Sequence, residues 1–278
     1  MIIEVEGKSG LASMYGSPAF TYDEVTLAAA DDATGRAEVR ARTLTPDEAL
    51  IEYLEDSNMG RISKRLMSSG ALDMVSTAVP GIRDILVLGK IKQMEREGLA
   101  DLLILDAPAA GHAITFLQSA SGLADAVRLG PINAQAKDVL GLLGDPDRCQ
   151  VVLVTLPEET PVNELVETAY QLEDRVGVSL GPVVVNGLYP PLPGLDVAPK
   201  VAAGQAGASL RPGEADALAT AAQFRRDRME LQAEQVARLA EALPLPQLHL
   251  PYLFDAELGP PQLDELAVAM LAGVGALP

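Results

Sequence analysis

A mostly parallel β-sheet with helices on both faces is the fold class that this 278-residue sequence predicts, and three observations carry the prediction. Short apolar runs bounded by turn residues recur at 1–5, 102–105, 151–154, 183–185 and 248–250. Stretches with helical spacing of apolar residues separate most of them, the alternation that parallel strands and their crossovers require. The second run leads into Asp106-Ala107-Pro108-Ala109-Ala110-Gly111-His112, an acid and a glycine-containing loop directly after a strand, where open α/β sheets gather their ligands. With 48% hydrophobic residues the chain has ample apolar area for a core.

Element by element, the run 1–5 is a first strand. The stretches 25–30 and 37–44 flank Asp31-Asp32-Ala33-Thr34-Gly35, which reads as the turn of a hairpin. Thr45-Pro46-Asp47 starts a helix, with threonine as N-cap and proline at the first helical position. From there to 98 the pattern stays helical, broken at Gly60, Gly70 and Pro80-Gly81, so 45–98 is expected to be a helical insertion beside the sheet. Residues 161–176 place Val162, Leu165, Val166, Ala169 and Leu172 on one helical face, with Gly177 as C-cap. Pro190-Pro191-Leu192-Pro193-Gly194 cannot continue a central strand and marks a loop. The Gly- and Ala-rich region up to Pro212 is expected to be the most flexible part, and 215–243 a long helix carrying Arg225, Arg226, Arg228 and Arg238. No fixed-period repeat occurs.

Charge narrows the function. Lys+Arg 21 against Asp+Glu 39 gives −18, a field that disfavours nonspecific binding to nucleic acid or anionic lipid. A lone cysteine, Cys149, permits neither an internal disulfide nor a multi-cysteine zinc site, and no basic leader precedes an apolar core at Met1, so a reducing, cytoplasmic location is expected. No apolar run approaches the roughly 20 residues that span a bilayer.

The loop at 106–112 carries the strongest chemistry. A carboxylate mounted on a strand end, followed by Pro108 and Gly111, suits an acid that orders magnesium-bound water, although Asp106 taken alone also reads as an ordinary strand-end cap. His112 has no partner pattern for zinc and is read as a positioning residue. Glu6-Gly7-Lys8-Ser9-Gly10 contains G-K-S after a strand but lacks the upstream glycine and four-residue spacer of a phosphate loop, and no G-x-x-x-x-G-K-[ST] occurs elsewhere. Glu6 reads as a second strand-end acid facing the same crevice. Asn186 before Gly187 suits an adenine edge or an ordinary turn. Nothing near Cys149 marks it as a nucleophile.

These pieces together resemble the arsenite-pump and tail-anchored-protein-targeting ATPase family, a branch of the deviant phosphate-loop NTPases. The resemblance rests on 106–112 followed by Ile114-Thr115-Phe116-Leu117, similar to the family's switch II. It rests also on Leu156-Pro157-Glu158-Glu159, on Val183-Val184-Val185-Asn186, on the helix 224–239 and on Leu250-Pro251-Tyr252-Leu253-Phe254. Val5-Glu6-Gly7 and Pro80-Gly81-Ile82-Arg83-Asp84 look most like the paired arsenite-pump-like ATPases of actinobacteria. The resemblance implies ATP and magnesium as cofactors, with Asp106 at the magnesium side and Glu6 where the family has a water-activating aspartate. It places Gly111 in the switch loop, and Glu158, Asn186, Pro251, Tyr252, Leu253 and Phe254 around the nucleoside. It further implies one NTPase-like domain over 1–278 and a dimer with a copy or with a paralogous ATPase. A membrane-protein client and no nucleic acid complete the expected partners.

Three departures qualify it. The sequence starts at what looks like the family's second strand, so the first strand, the phosphate loop and the first helix are missing. A truncated or mis-started ATPase is therefore expected, with a noncatalytic pseudo-ATPase that scaffolds a paralogue as the rival. The family's interfacial zinc cysteines and its cysteine-based arsenite site are absent as well. A third reading, a carrier of tail-anchored proteins, requires an apolar groove built from Met59, Leu66, Met67, Met74, Leu86, Val87 and Leu88.

Overall fold

A computed structural model describes residues 1–5, 10–33, 35–56, 81–127 and 130–277. The chain forms an α/β fold with mostly parallel strands, and its contacts divide it into two compact units. The first comprises Met1–Val151 and Thr168–Leu180, the second Val152–Glu167 and Gly181–Pro278.

In the first unit a four-stranded sheet has the order β2-β3-β1-β4, built from β1 (Ile2–Glu4), β2 (Val25–Ala28), β3 (Val39–Thr43) and β4 (Ile104–Asp106). β1 runs parallel to both β3 and β4, while β2 and β3 form the expected antiparallel hairpin, closed by a bridge from Asp31 to Arg36. A short α1 (Leu11–Met14) follows β1. The expected helix start at Thr45 is present: α2 (Pro46–Asp56) begins after it, and the Thr45 hydroxyl accepts from the Glu48 amide at 3.3 Å. α3 (Ile82–Arg96) starts at Gly81, whose φ of 80° places it in the left-handed region, with Ser119 Cβ only 3.1 Å from where a side chain would project. α4 (Ala110–Ala126) and α5 (Pro131–Leu143) pack against α3 and each other, and α3 also packs on α2. Ile3, Ala41, Leu44, Val87, Leu88, Met94, Leu123 and Val139 are buried in this unit. A short parallel pair, β5 (Gln150–Val151) with β7 (Ser179–Leu180), and a π-helical turn at Leu172–Val176 capped by Gly177 at φ 74° complete it. The middle of the expected insertion, 57–80, lies outside the described residues.

The run at 102–105 has the composition of a buried strand, and the structure leaves it partly exposed. Among the described residues β4 pairs with β1 alone, at the edge of the sheet, and Leu102 and Ile104 are 65% and 50% exposed.

The second unit holds a parallel sheet of order β6-β8-β9, from β6 (Val154–Thr155), β8 (Val183–Leu188) and β9 (Gln247–Pro251). α6 (Glu159–Gln171) begins in this unit. The proline-rich loop precedes α7 (Pro199–Gln205), so the segment expected to be most flexible contains a helix. α8 (Glu214–Ala242) and α9 (Pro260–Gly275) follow. α9 lays Leu266, Ala269 and Met270 on Val184, Leu248 and Leu250. Register places Val154 beside Val184, hence on the face that α9 covers, yet Val154 is 63% exposed. Val152 and Leu156, two residues away on either side, are exposed too, as are Val268 and Leu271 on α9. The opposite face, with Thr155, Val183 and Val185, is buried. β6 is therefore an apolar parallel edge covered on one face only. Among the described residues no helix is long and apolar enough to cross a membrane.

Candidate functional site

The acid end of the first unit grows out of strand register. Thr43, Glu4 and Asp106 are in-register partners across β3, β1 and β4, so three polar side chains form one row at the carboxyl ends of parallel strands. Glu4 is buried; its carboxylate, 3.5 Å from the Thr43 hydroxyl, and the Phe20 carbonyl, 3.4 Å from it, share that hydroxyl's single hydrogen. Asp106 is exposed at the strand end, as its proposed chemistry needs. Ala107, Pro108 and Ala109 then lead directly into α4, whose first turn points backbone N–H groups out of the helix start. Gly111 sits inside α4 and is not among the glycines with positive φ. It supplies no special conformation; what it supplies is space, since a side chain there would meet no atom within 4 Å. Glu6 lies outside the described residues. Glu4, two residues earlier and on the row with Asp106, was missed because a buried glutamate in a three-residue strand gives no local signal.

The second unit gathers the other expected residues. Asn186 and Gly187 lie in the last half of β8, before Leu188, with Gly187 at φ 78°. A Cβ on Gly187 would stand at ordinary contact distance from Leu156, 3.6 Å, and Tyr252, 3.8 Å, so these side chains meet there and it is the positive φ that favours glycine. The Tyr252 amide donates to the Leu188 carbonyl at 2.8 Å, continuing the β8–β9 pairing. Pro251 ends β9; Tyr252 and Phe254 project as exposed rings, with Leu253 partly buried between them. Tyr189, Tyr252 and Phe254 form a triad with centroids 4.7 to 5.3 Å apart in tilted and edge-on arrangements.

One face of α8 braces this region. Gln232, 2% exposed, donates from its amide to the Gly187 carbonyl at 3.0 Å and accepts from the Tyr189 amide at 2.8 Å. Arg228 pairs with Glu158, so the expected nucleoside-side glutamate is held by an arginine. Arg225 stacks over Tyr189 and Phe254. Further along, Arg238 donates to the Glu159 carbonyl at 3.1 Å and to the Asn163 side chain. The spacing 225, 228, 232, 235, 239 is one helical stripe and is readable in the sequence, although the arginines alone suggest only a solvated face.

Elsewhere the expectations divide. Burial pushes the Cys149 thiol up, away from a reactive thiolate. Val87 and Leu88 are 1% and 3% exposed, so they are spent on the core of α3 and do not line a client groove. Leu86 is partly buried; Met59, Leu66, Met67 and Met74 lie outside the described residues. No cluster of three metal-ligating side chains occurs among the described residues. The oxygen donors at Asp106 and Glu4 suit a hard cation that retains water, as magnesium does, and the ring triad beside Asn186 suits a flat base. The sequence contains no G-x-x-x-x-G-K-[ST] phosphate loop.

The sequence profile of the anion-transporting ATPases matches residues 46–129. The chain is 30% identical over 275 residues to ATPase BagA of Mycobacterium tuberculosis, covering 92% of this chain and 79% of that one. A Mycobacterium bovis protein named as an ATPase matches with the same figures. A Halobacterium salinarum protein whose name describes an arsenical pump-driving ATPase is 28% identical over 119 residues, 40% of this chain and 18% of its own.

Proposed function

The chain belongs to the anion-transporting ATPase family, and from that premise we propose that it is a subunit of a cytoplasmic, magnesium-dependent ATP hydrolase whose phosphate-binding loop is supplied by polypeptide outside these 278 residues. The single observation that carries the reading is Asp106, an exposed carboxylate at the end of a parallel strand, beside Glu4 and immediately before a helix N-terminus. Bound magnesium there would supply charge neutralisation at the phosphates. In the first unit Asp106 would hold the metal, and Glu6 is the candidate for orienting the attacking water; in the second unit Asn186, Pro251, Tyr252, Leu253 and Phe254 are the candidates for receiving the nucleoside. Glu158, tied to Arg228, borders that receiving end.

The external phosphate loop is supported by two bare parallel edges. Among the described residues, Ile104 of β4 and the preceding Leu102 are exposed, as are Val154 of β6 and the flanking Val152 and Leu156; apolar parallel edges ask for another strand. Association with a copy or a paralogous ATPase, and service to a membrane-protein client, complete the proposal. In a form that includes a strand, a lysine-bearing loop and a helix ahead of Met1, Asp106→Ala should lower turnover far more than it weakens nucleotide binding, the mark of a metal-positioning acid. Equal losses in both would remove Asp106 from that role. Binding without any turnover in the extended wild type would support the scaffold in place of the enzyme.

A further inference from the structure

Arg225 stands where three segments of the second unit meet: α8, the chain leaving β8 at Tyr189-Pro190, and the chain leaving β9 at Tyr252 to Phe254. Its guanidinium carbon lies 5.3 Å from the Tyr189 ring centroid and 4.9 Å from that of Phe254. Its Nη2 donates to the Pro190 carbonyl at 2.8 Å, while its Nε is buried with no hydrogen-bond partner. A side chain that gives up a hydrogen bond in order to lie against two rings is held there by the rings. Packing does not require this, because Phe254 is 59% and Tyr252 44% exposed. A surface aromatic tail with no further support would sample many orientations, at an entropic cost to any ligand that needs one of them.

We propose that Arg225 is a positioning residue: by clamping Tyr189 and Phe254 it holds the Tyr252 and Phe254 rings as a preformed platform for the nucleobase. The inference deepens the functional reading above and rests on it. The cation faces the rings from the α8 side, which leaves their exposed sides to the ligand. Asn186 directly precedes Gly187, whose Cβ position lies 3.8 Å from the Tyr252 ring. Arg228 and Gln232, at the next positions of the same stripe, fix Glu158 and the end of β8, so one helix face sets the whole receiving surface.

The test uses adenosine, which needs no phosphate loop, titrated into the 278-residue chain and followed by saturation-transfer NMR. Arg225→Met should weaken adenosine binding about tenfold, the scale of a partly desolvated cation–π contact, and Arg225→Lys should recover part of it. Near-UV circular dichroism reports the clamp separately, because the chain has six tyrosines and no tryptophan. Arg225→Met should diminish the tyrosine signal while leaving the far-UV spectrum unchanged. The decisive comparison adds Arg225→Met to Phe254→Leu: if the arginine acts through the ring, the second change costs little further affinity. An undiminished tenfold loss in that background, or wild-type affinity in Arg225→Met, overturns the positioning role and leaves the base site standing. Wild-type chain that fails to bind adenosine at all overturns the base site and this inference with it.

Discussion

At the scale of residues, Gln232 shows what a buried amide does for a strand end. It satisfies the Gly187 carbonyl and the Tyr189 amide together, where the β8–β9 ladder shifts register. Gln232→Ala leaves both backbone groups without a partner and should cost about 2–4 kcal/mol by urea denaturation; an unchanged midpoint would mean that water replaces the side chain. A second network, Tyr22–Glu52–Lys90 with Arg42 over the Tyr22 ring at 4.3 Å, sets the pH dependence of the first unit. Burial by itself would raise the Glu52 pKa, but hydrogen bonds from Lys90 and Tyr22 and the charges of Lys90 and Arg42 hold it below the ordinary 4.5. Its stabilisation is therefore present above that value and lost as pH falls through the lower folded one. Burial, then the hydrogen bond to Glu52, raises the Tyr22 pKa above 10.0, so that contribution is present below 10.0 and lost as pH rises through the raised folded value. Thermal stability should thus be level at neutral pH and fall at both extremes. Glu52→Gln should lower Tm at neutral pH, because it uncouples the buried Lys90 ammonium, and should flatten both limbs. None of this network was legible in the sequence, since its members are 30 and 38 residues apart. Asp106 was legible, because a strand run ending in an acid is a local pattern.

At the scale of elements, periodicity identified the strands and helices but not which strands lie at an edge. The run 102–105 has the apolar character of a buried strand, and the pairing order shows that β4 has no second neighbour among the described residues. Thr45, Gly177 and the 25–44 hairpin were readable because caps and turns are chemistry of a few adjacent residues. α9 is the instructive case: from Leu266 to Gly275 it has no polar side chain, and helices that are apolar all round are normally enclosed. Only one side is. Leu248→Ala, beneath α9, should cost about 2–4 kcal/mol, whereas Leu271→Ala should stay within about 0.5 kcal/mol in the 278-residue chain, both by denaturant midpoint. A Leu271 cost like that of Leu248 would show that its face is covered after all. Gly81→Ala should also destabilise, by about 1–3 kcal/mol, since a side chain at φ 80° would press on Ser119.

At the scale of the whole molecule, the order of motifs along the chain was enough to recognise the family, because spacing between strand-end residues survives where overall identity is 30%. How the chain completes a phosphate site was legible only as an absence of lysine-bearing loop, and the bare edges of β4 and β6 now give that absence a physical counterpart. A parallel edge with exposed valine, leucine and isoleucine should make the isolated polypeptide prone to associate. Calorimetric titration of magnesium–ATP, with turnover followed alongside, tests the account most directly when run on the 278-residue chain and on the same chain with a strand, lysine loop and helix added ahead of Met1. The 278-residue chain should bind magnesium–ATP no more tightly than adenosine and hydrolyse none of it, whereas the extended chain should bind it far more tightly and hydrolyse it, with hydrolysis abolished by Asp106→Asn. Micromolar affinity and Asp106-dependent turnover in the 278-residue chain alone would contradict it.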